Sequence, residues 1–157
     1  MNFKSTGNLA YLTNSFPLNL TENEIRIEVQ TSVEGPLSFV TNSPKLSASK
    51  IQAQVGFGST PQVQVAVRAD SLEVISEKIS KSDHQKILKA VSDKILKIDE
   101  FPKIHFSSSV ASIRDTCYPF SVVVMGVLTI NGVSREIDLV FKHVQERLMG
   151  QISILQS

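Results

Sequence analysis

Tryptophan is absent from the 157-residue chain, and cysteine occurs once, at Cys117. A single thiol excludes an internal disulfide. Aromatic residues make up only 6% of the chain, and no basic stripe runs beside them, so the sequence offers no platform for stacking nucleic-acid bases. Charge of one sign is missing as well. Sixteen basic against fifteen acidic residues leave a net charge of +1, which creates no field to draw a polyanion. No apolar run approaches the ~20 residues of a membrane helix. The opening MNFKSTGNLAYLTNS has neither the long apolar core nor the cleavage site of a signal peptide. Two readings stay open: a cytosolic protein, or one whose leader has been removed. What is present is ordinary for a globular chain, 41% hydrophobic and 20% charged residues. The length predicts one domain spanning 1–157, and at this size roughly 70% of the unfolded surface can be buried.

Alternation of apolar and polar residues is the main signal. A poor strand pattern covers residues 3 to 12. Residues 23 to 31 are better, with Ile25, Ile27 and Val29 alternating against Glu24, Arg26, Glu28 and Gln30. Residues 32 to 47 hold two prolines and a glycine and read as a long loop, pinned by Phe39 and Val40. Residues 49 to 57 and 62 to 69 alternate again around the turn Gly58 to Pro61, which predicts a hairpin. A helix is expected from about 83 to 96. Ser82 and Gln85 supply a capping box, and Ile87, Leu88, Val91, Ile95 and Leu96 share one face. Pro102 then forces an extended chain. Strands follow from Lys103, over 120 to 130, through the hairpin signal Asn131-Gly132, and on to Leu155 beyond a turn near Gln145-Glu146. In the strand 120 to 130, Val123, Met125 and Val127 make the second face partly apolar, which predicts cover on both sides.

The count is about eight antiparallel strands with one helix inserted between the middle strands. Such strands close into a barrel or a sandwich, and a barrel of ~8 strands holds one small ligand.

Two motifs carry a resemblance. Phe101-Pro102-Lys103-Ile104-His105-Phe106-Ser107-Ser108 is similar to an aromatic-Pro-x-Ile-x-Phe-x-Ser strand, and Leu128-Thr129-Ile130-Asn131-Gly132-Val133-Ser134-Arg135 to a Leu-Thr-Ile-x-Gly-Val-Thr-Lys hairpin. Both belong to the YceI-like family, and the likeness covers about residues 50 to 155. The resemblance implies a mainly β fold, an antiparallel lipocalin-like barrel that binds polyisoprenoid and related lipids. It also favours a periplasmic or secreted location. A Gly-His-x-His element of one branch is replaced here by Val40-Thr41-Asn42-Ser43, which removes support for a metal or catalytic site built on it. The family continues for ~20 residues beyond the last strand, which implies a barrel shortened at its C-terminus with an exposed edge.

The bland readings of the remaining candidates are stronger than the chemical ones. His84, His105 and His143 are dispersed, so no metal site is expected. Ser47-Ala48-Ser49-Lys50 matches a Ser-x-x-Lys pattern but leads into a strand. Cys117 has no basic pair beside it. The sequon Asn19-Leu20-Thr21 is a pattern common by chance. The lysines of 78 to 103 are interleaved with acids, as on a solvated helix face.

There remains the inward apolar set: Val63, Val65 and Val67; Ile104 and Phe106; Val122, Val124 and Leu128; Ile137, Leu139 and Phe141. The helix adds Ile87 and Val91 over the mouth. These residues line either a filled core or a cavity for an apolar ligand. The expectation is a non-enzymatic carrier of an isoprenoid, quinone or fatty-acid-like molecule, with no other cofactor and no nucleic-acid partner. The alternatives are a small-molecule enzyme at the barrel mouth, which lacks a visible acid–base pair, and a ligand-free interaction module, including a homodimer through the last strand.

Overall fold

Period-two alternation places one side chain in the core and the next in water, and the strands follow it. A computed structural model describes residues 2–8, 18–21, 25–30, 44–56, 62–115, 121–144 and 147–153. Eleven strands run in chain order: β1 (Asn2–Asn8), β2 (Leu18–Thr21), β3 (Ile25–Gln30), β4 (Lys45–Ala48), β5 (Ile51–Gly56), β6 (Gln62–Arg68), β7 (Leu72–Val74), β8 (Lys103–Asp115), β9 (Ser121–Ile130), β10 (Val133–Val144) and β11 (Arg147–Ser153). They form one antiparallel sheet in the order β2-β5-β6-β8-β9-β10-β11-β1-β3-β4-β7. One helix, α1 (Lys81–Ala90), lies between β7 and β8 and widens into a π-helical run over Val91–Leu96.

The order explains the curvature. β5 lies near one end of the sheet and β4 near the other, yet only Ser49 and Lys50 separate them in the chain. The sheet therefore curls into a half-barrel whose two ends meet at one corner. There β6 passes into β7 through a single 3-10 turn, Ala69–Ser71. Ser71 is buried, but its hydroxyl donates to Arg68 O at 2.7 Å and accepts from Lys50 N at 3.1 Å. The Ser49 backbone N–H and hydroxyl both reach Ser71 O, at 3.1 and 3.0 Å. The corner thus leaves no stranded polar group.

The expectation of about eight strands and the eleven observed describe the same wall. β4–β5 and β6–β7 are two long strands, each bent at the corner. Counting each once leaves nine, of which β2 is a four-residue strand at the sheet's edge. The loop expected over 32 to 47 is wrong at its end. Lys45–Ala48 is strand, with Leu46 among the most deeply buried side chains of the chain. The prolines hid a two-residue alternation, and Pro44 sits just ahead of the strand, where its missing N–H costs no ladder bond. Phe39, Val40, the turn at Gly58 to Pro61, Cys117 and the turn at Gln145-Glu146 lie outside the described residues.

The helix starts two residues before the expected cap. Ser80, not Ser82, is the N-cap: its Oγ accepts from Asp83 N–H at 3.2 Å and its hydroxyl donates to Asp83 Oδ2 at 2.9 Å. Ser80-x-x-Asp83 satisfies the first turn with a shorter acid, so Gln85 is not needed. The buried face runs Ile87, Val91, Leu96. Its last step is five residues rather than four, which is the spacing a π turn imposes. Lys97 ends the run in the left-handed region, φ 49°, and Phe101 N–H bonds Lys97 O at 2.9 Å.

β9 and β10 join through Asn131-Gly132, both with positive φ (51° and 71°), which matches a type I′ turn. A Cβ on Gly132 would lie 2.5 Å from Cε1 of Phe101, so the aromatic ring rests directly on the turn. β8 carries two register shifts, at Ser108/Val110 and Ile113/Asp115, which bend a strand of thirteen residues around the wall. The second face of β9 is not covered as expected: Met125 is 46% and Val127 38% exposed, and of the apolar residues on that face only Val123 is buried. Nor is the last strand an edge. β11 pairs with β10 on one side and β1 on the other, so it does not present the exposed edge that the alternative of a dimer through the last strand needed.

Candidate functional site

The inward side chains converge on a cavity of about 90 Å³. Cross-strand register explains which ones meet. Val65 lies opposite Phe106, and Phe106 opposite Leu128, so three strands contribute one row. Val67 and Ile104 form the adjacent pair. Val63, Ile137, Leu139 and Phe141 complete the set that the alternation pattern selected. Val67, Ile104, Phe106 and Leu128 are buried, whereas Val63, Val65, Ile137, Leu139 and Phe141 are half-buried.

Four of the expected residues stand elsewhere. Ile87 and Val91 are buried in the core beneath α1, and Val124 and Val122 belong to the same core without lining the cavity. The helix packs on β7, so its apolar face is consumed by sheet contacts rather than presented to the hollow. Two lining residues were not selected, Ile27 of β3 and Gly150 of β11. Ile27 belongs to a visible alternation, but nothing local shows that β3 curls round to face β6. Gly150 has no side chain to betray it. Its only mark is its cross-strand partner Phe141, whose ring would lie 2.7 Å from an added Cβ. The ring fills the space that the glycine leaves open.

Among the described residues the lining carries no titratable side chain and no side-chain hydrogen-bonding group. The nearest buried polar side chain along β8 is Ser108, two residues beyond Phe106, and its Oγ accepts from Val63 N–H at 2.6 Å. The bond lies where β8 departs from regular pairing. Outside the cavity, Arg68 holds Asp70 in a two-pronged ion pair at 3.0 and 2.5 Å. That hydrogen bond holds the Asp70 carboxyl below its ordinary value.

The three histidines are apart. His84 Nε2 lies 3.2 Å from Ser76 O, His105 is exposed on the outer face of β8, and His143 is half-buried on β10. Among the described residues no group of three metal-ligating side chains comes together. Ser47 and Lys50 fall on the strand β4 and just past it, not at a helix start. No helix among the described residues is long and apolar enough to cross a membrane.

The YceI-like domain model matches residues 19–156. No curated protein matches the sequence. Among solved structures, the crystal structure of Burkholderia cenocepacia BcnA aligns with a TM-score of 0.53 at 15% identity, covering 92% of this chain and 69% of its own. At that identity the likeness concerns the fold. A mutant CJ YCEI protein with a monobromobimane guest aligns with a TM-score of 0.49 at 18% identity, over 66% of this chain and 56% of its own.

Proposed function

The chain belongs to the YceI-like family, and on that premise we propose that it binds a long apolar molecule, an isoprenoid, a quinone or a fatty-acyl chain, in the half-barrel without transforming it. The observation that carries this reading is the wall of the cavity, which among the described residues is apolar side chains and one glycine. Each buried methylene contributes about 0.8 kcal/mol. Ten of them contribute about 8 kcal/mol before the cost of ordering the chain is subtracted. A wall of this kind selects on width and bulk, and it leaves a polar head group in solvent. Among the described residues it also holds no group able to take or give a proton, which general acid–base chemistry requires.

The volume sets a condition. About 90 Å³ is well below the roughly 300 Å³ at which ligand pockets begin, so a long chain enters only as the walls part. Val63, Val65, Ile137, Leu139, Phe141 and Gly150 are the lining residues that are incompletely buried, and that side of the wall is where widening is expected.

The same small volume favours one alternative, a filled half-barrel that acts as an interaction module without a ligand. Native mass spectrometry and organic extraction of the purified protein, followed by titration with an apolar fluorescent probe, separate the two. A co-purifying lipid or saturable probe uptake is expected. A folded protein that is lipid-free and takes up no probe overturns the carrier reading and leaves the module.

A further inference from the structure

The outer face of the same strands carries a second hollow, larger than the first, of about 590 Å³. It is lined by Asn19 and Leu20 of β2 and by three residues each of β5, β6 and β8. Two outward cross-strand rows flank the row Leu20, Ala53, Val65, Phe106 in its lining. One runs Asn19, Gln54, Gln64, Ser107, and the other runs Gln52, Ala66, His105. Ala66 and Ser107 are the short side chains, so they form a floor, and the longer Gln52, Gln54, Gln64 and His105 rise around it.

The chemistry of these rows is unlike the rest of the surface. Charged residues are 20% of the chain, and the outer side of β10 alone carries Glu136, Asp138 and Lys142. None lines this hollow. Its polar side chains are exposed, and among the described residues none of them is engaged in a hydrogen bond or ion pair. Each carboxamide offers a carbonyl that accepts and an NH₂ that donates. A hydroxyl likewise donates and accepts. Amides repeating at the spacing of adjacent strands, about 5 Å between Cβ atoms, match a ligand that repeats hydroxyls and carries no charge. Within the lining an ion finds no counter-charge (Arg68 and Lys103 stand in the next row, Arg68 held by Asp70), and an alkyl chain leaves the amides without partners.

We propose that this hollow is a second binding site, for a neutral polyhydroxylated ligand of the oligosaccharide class. The imidazole of His105, which is exposed, supplies a flat surface against which a sugar ring can lie. The two hollows share Val65 and Phe106 and differ in the rest of their linings.

The test is an NMR titration of ¹⁵N-labelled protein with a panel of neutral trisaccharides (maltotriose, cellotriose and chitotriose) and with a sulfated disaccharide as control. At least one neutral sugar is expected to shift the side-chain NH₂ signals of Gln52, Gln54 and Gln64, and the sulfated one to leave them unmoved. The double substitution Gln54→Ala, Gln64→Ala removes exposed groups, so it is expected to keep the fold and the uptake of an apolar probe while weakening the sugar about tenfold. The proposal is overturned if no neutral sugar moves these signals, if the sulfated control binds as well, or if the double variant binds as tightly as the parent.

Discussion

Replacing Gly132 with alanine is expected to lower the stability of the chain through two separable costs. The first is conformational. Gly132 has φ 71°, and an L-residue held in the left-handed region costs about 1–2 kcal/mol. The second is steric. The new methyl would lie 2.5 Å from Cε1 and 2.7 Å from Cζ of Phe101. Ordinary carbon contacts begin near 3.5 Å, so the half-buried ring must retreat by about 1 Å. Loss of part of its burial adds about 1 kcal/mol. Together the costs come to about 2–3 kcal/mol, which for a domain of this length lowers Tm by about 4–12 °C. Phe101→Ala separates the two. In that background the methyl meets no ring, and Gly132→Ala is expected to cost only the backbone share, with a coupling of about 1 kcal/mol in the double-mutant cycle. Urea or thermal denaturation of the four proteins reads all of this. Equal costs in both backgrounds would refute the contact, and no cost in either would refute the positive-φ turn.

Three further outcomes are expected. Ser108→Ala strands the Val63 N–H that now donates to the hydroxyl at 2.6 Å, so stability should fall by about 1–3 kcal/mol and the Val63 amide should lose protection in hydrogen exchange; unchanged protection would contradict the bond. Gly150→Val pushes a side chain toward the Phe141 ring, which should cost about 1–3 kcal/mol and reduce uptake of an apolar probe, whereas undiminished uptake would place the ligand elsewhere. The Asp70 carboxyl is held low chiefly by its hydrogen bond from Arg68. A depressed folded-state pKa contributes stability above the unfolded value that is lost as pH falls through the folded one. Arg68→Ala should therefore move the Asp70 titration, followed by carboxyl NMR, upward to its ordinary range, and an unmoved midpoint would sink the assignment.

Alternation made most of the wall legible, because a residue's side of a strand is a local property. Val63, Val65 and Val67 could be placed on one face from spacing alone, and so could Ile104 with Phe106. The corner was not legible. Two residues, Ser49 and Lys50, send β5 to one end of the sheet and β4 to the other, and neither is a glycine or a proline. The bend is held by the buried Ser71 twenty-one residues on, and no local rule reports such a partner. The helix was legible as a periodic face, but its destination was not. Ile87 and Val91 suit a ligand lid and a sheet contact equally well in sequence, and only packing against β7 decides between them. The outer glutamines carried no signal because a polar face is the default for a solvated strand. What sets them apart, two neighbouring cross-strand rows without an acid, a lysine or an arginine, emerges once the register is known.

The pairing of β1 with β11 has a kinetic consequence. Asn2 stands opposite Ser153 and Asn8 opposite Arg147, so one seam of the wall is made by residues that are nearly a full chain length apart. The loop that this seam closes is about as long as this chain allows, and its entropy must be spent before its ladder returns anything. Hairpins such as β9–β10, whose partners are separated by only a tight turn, can form early. The seam should be the last element to zip and the first to open, and a permuted chain with Asn2 and Ser153 joined by a short linker should fold faster than the parent without a change of architecture.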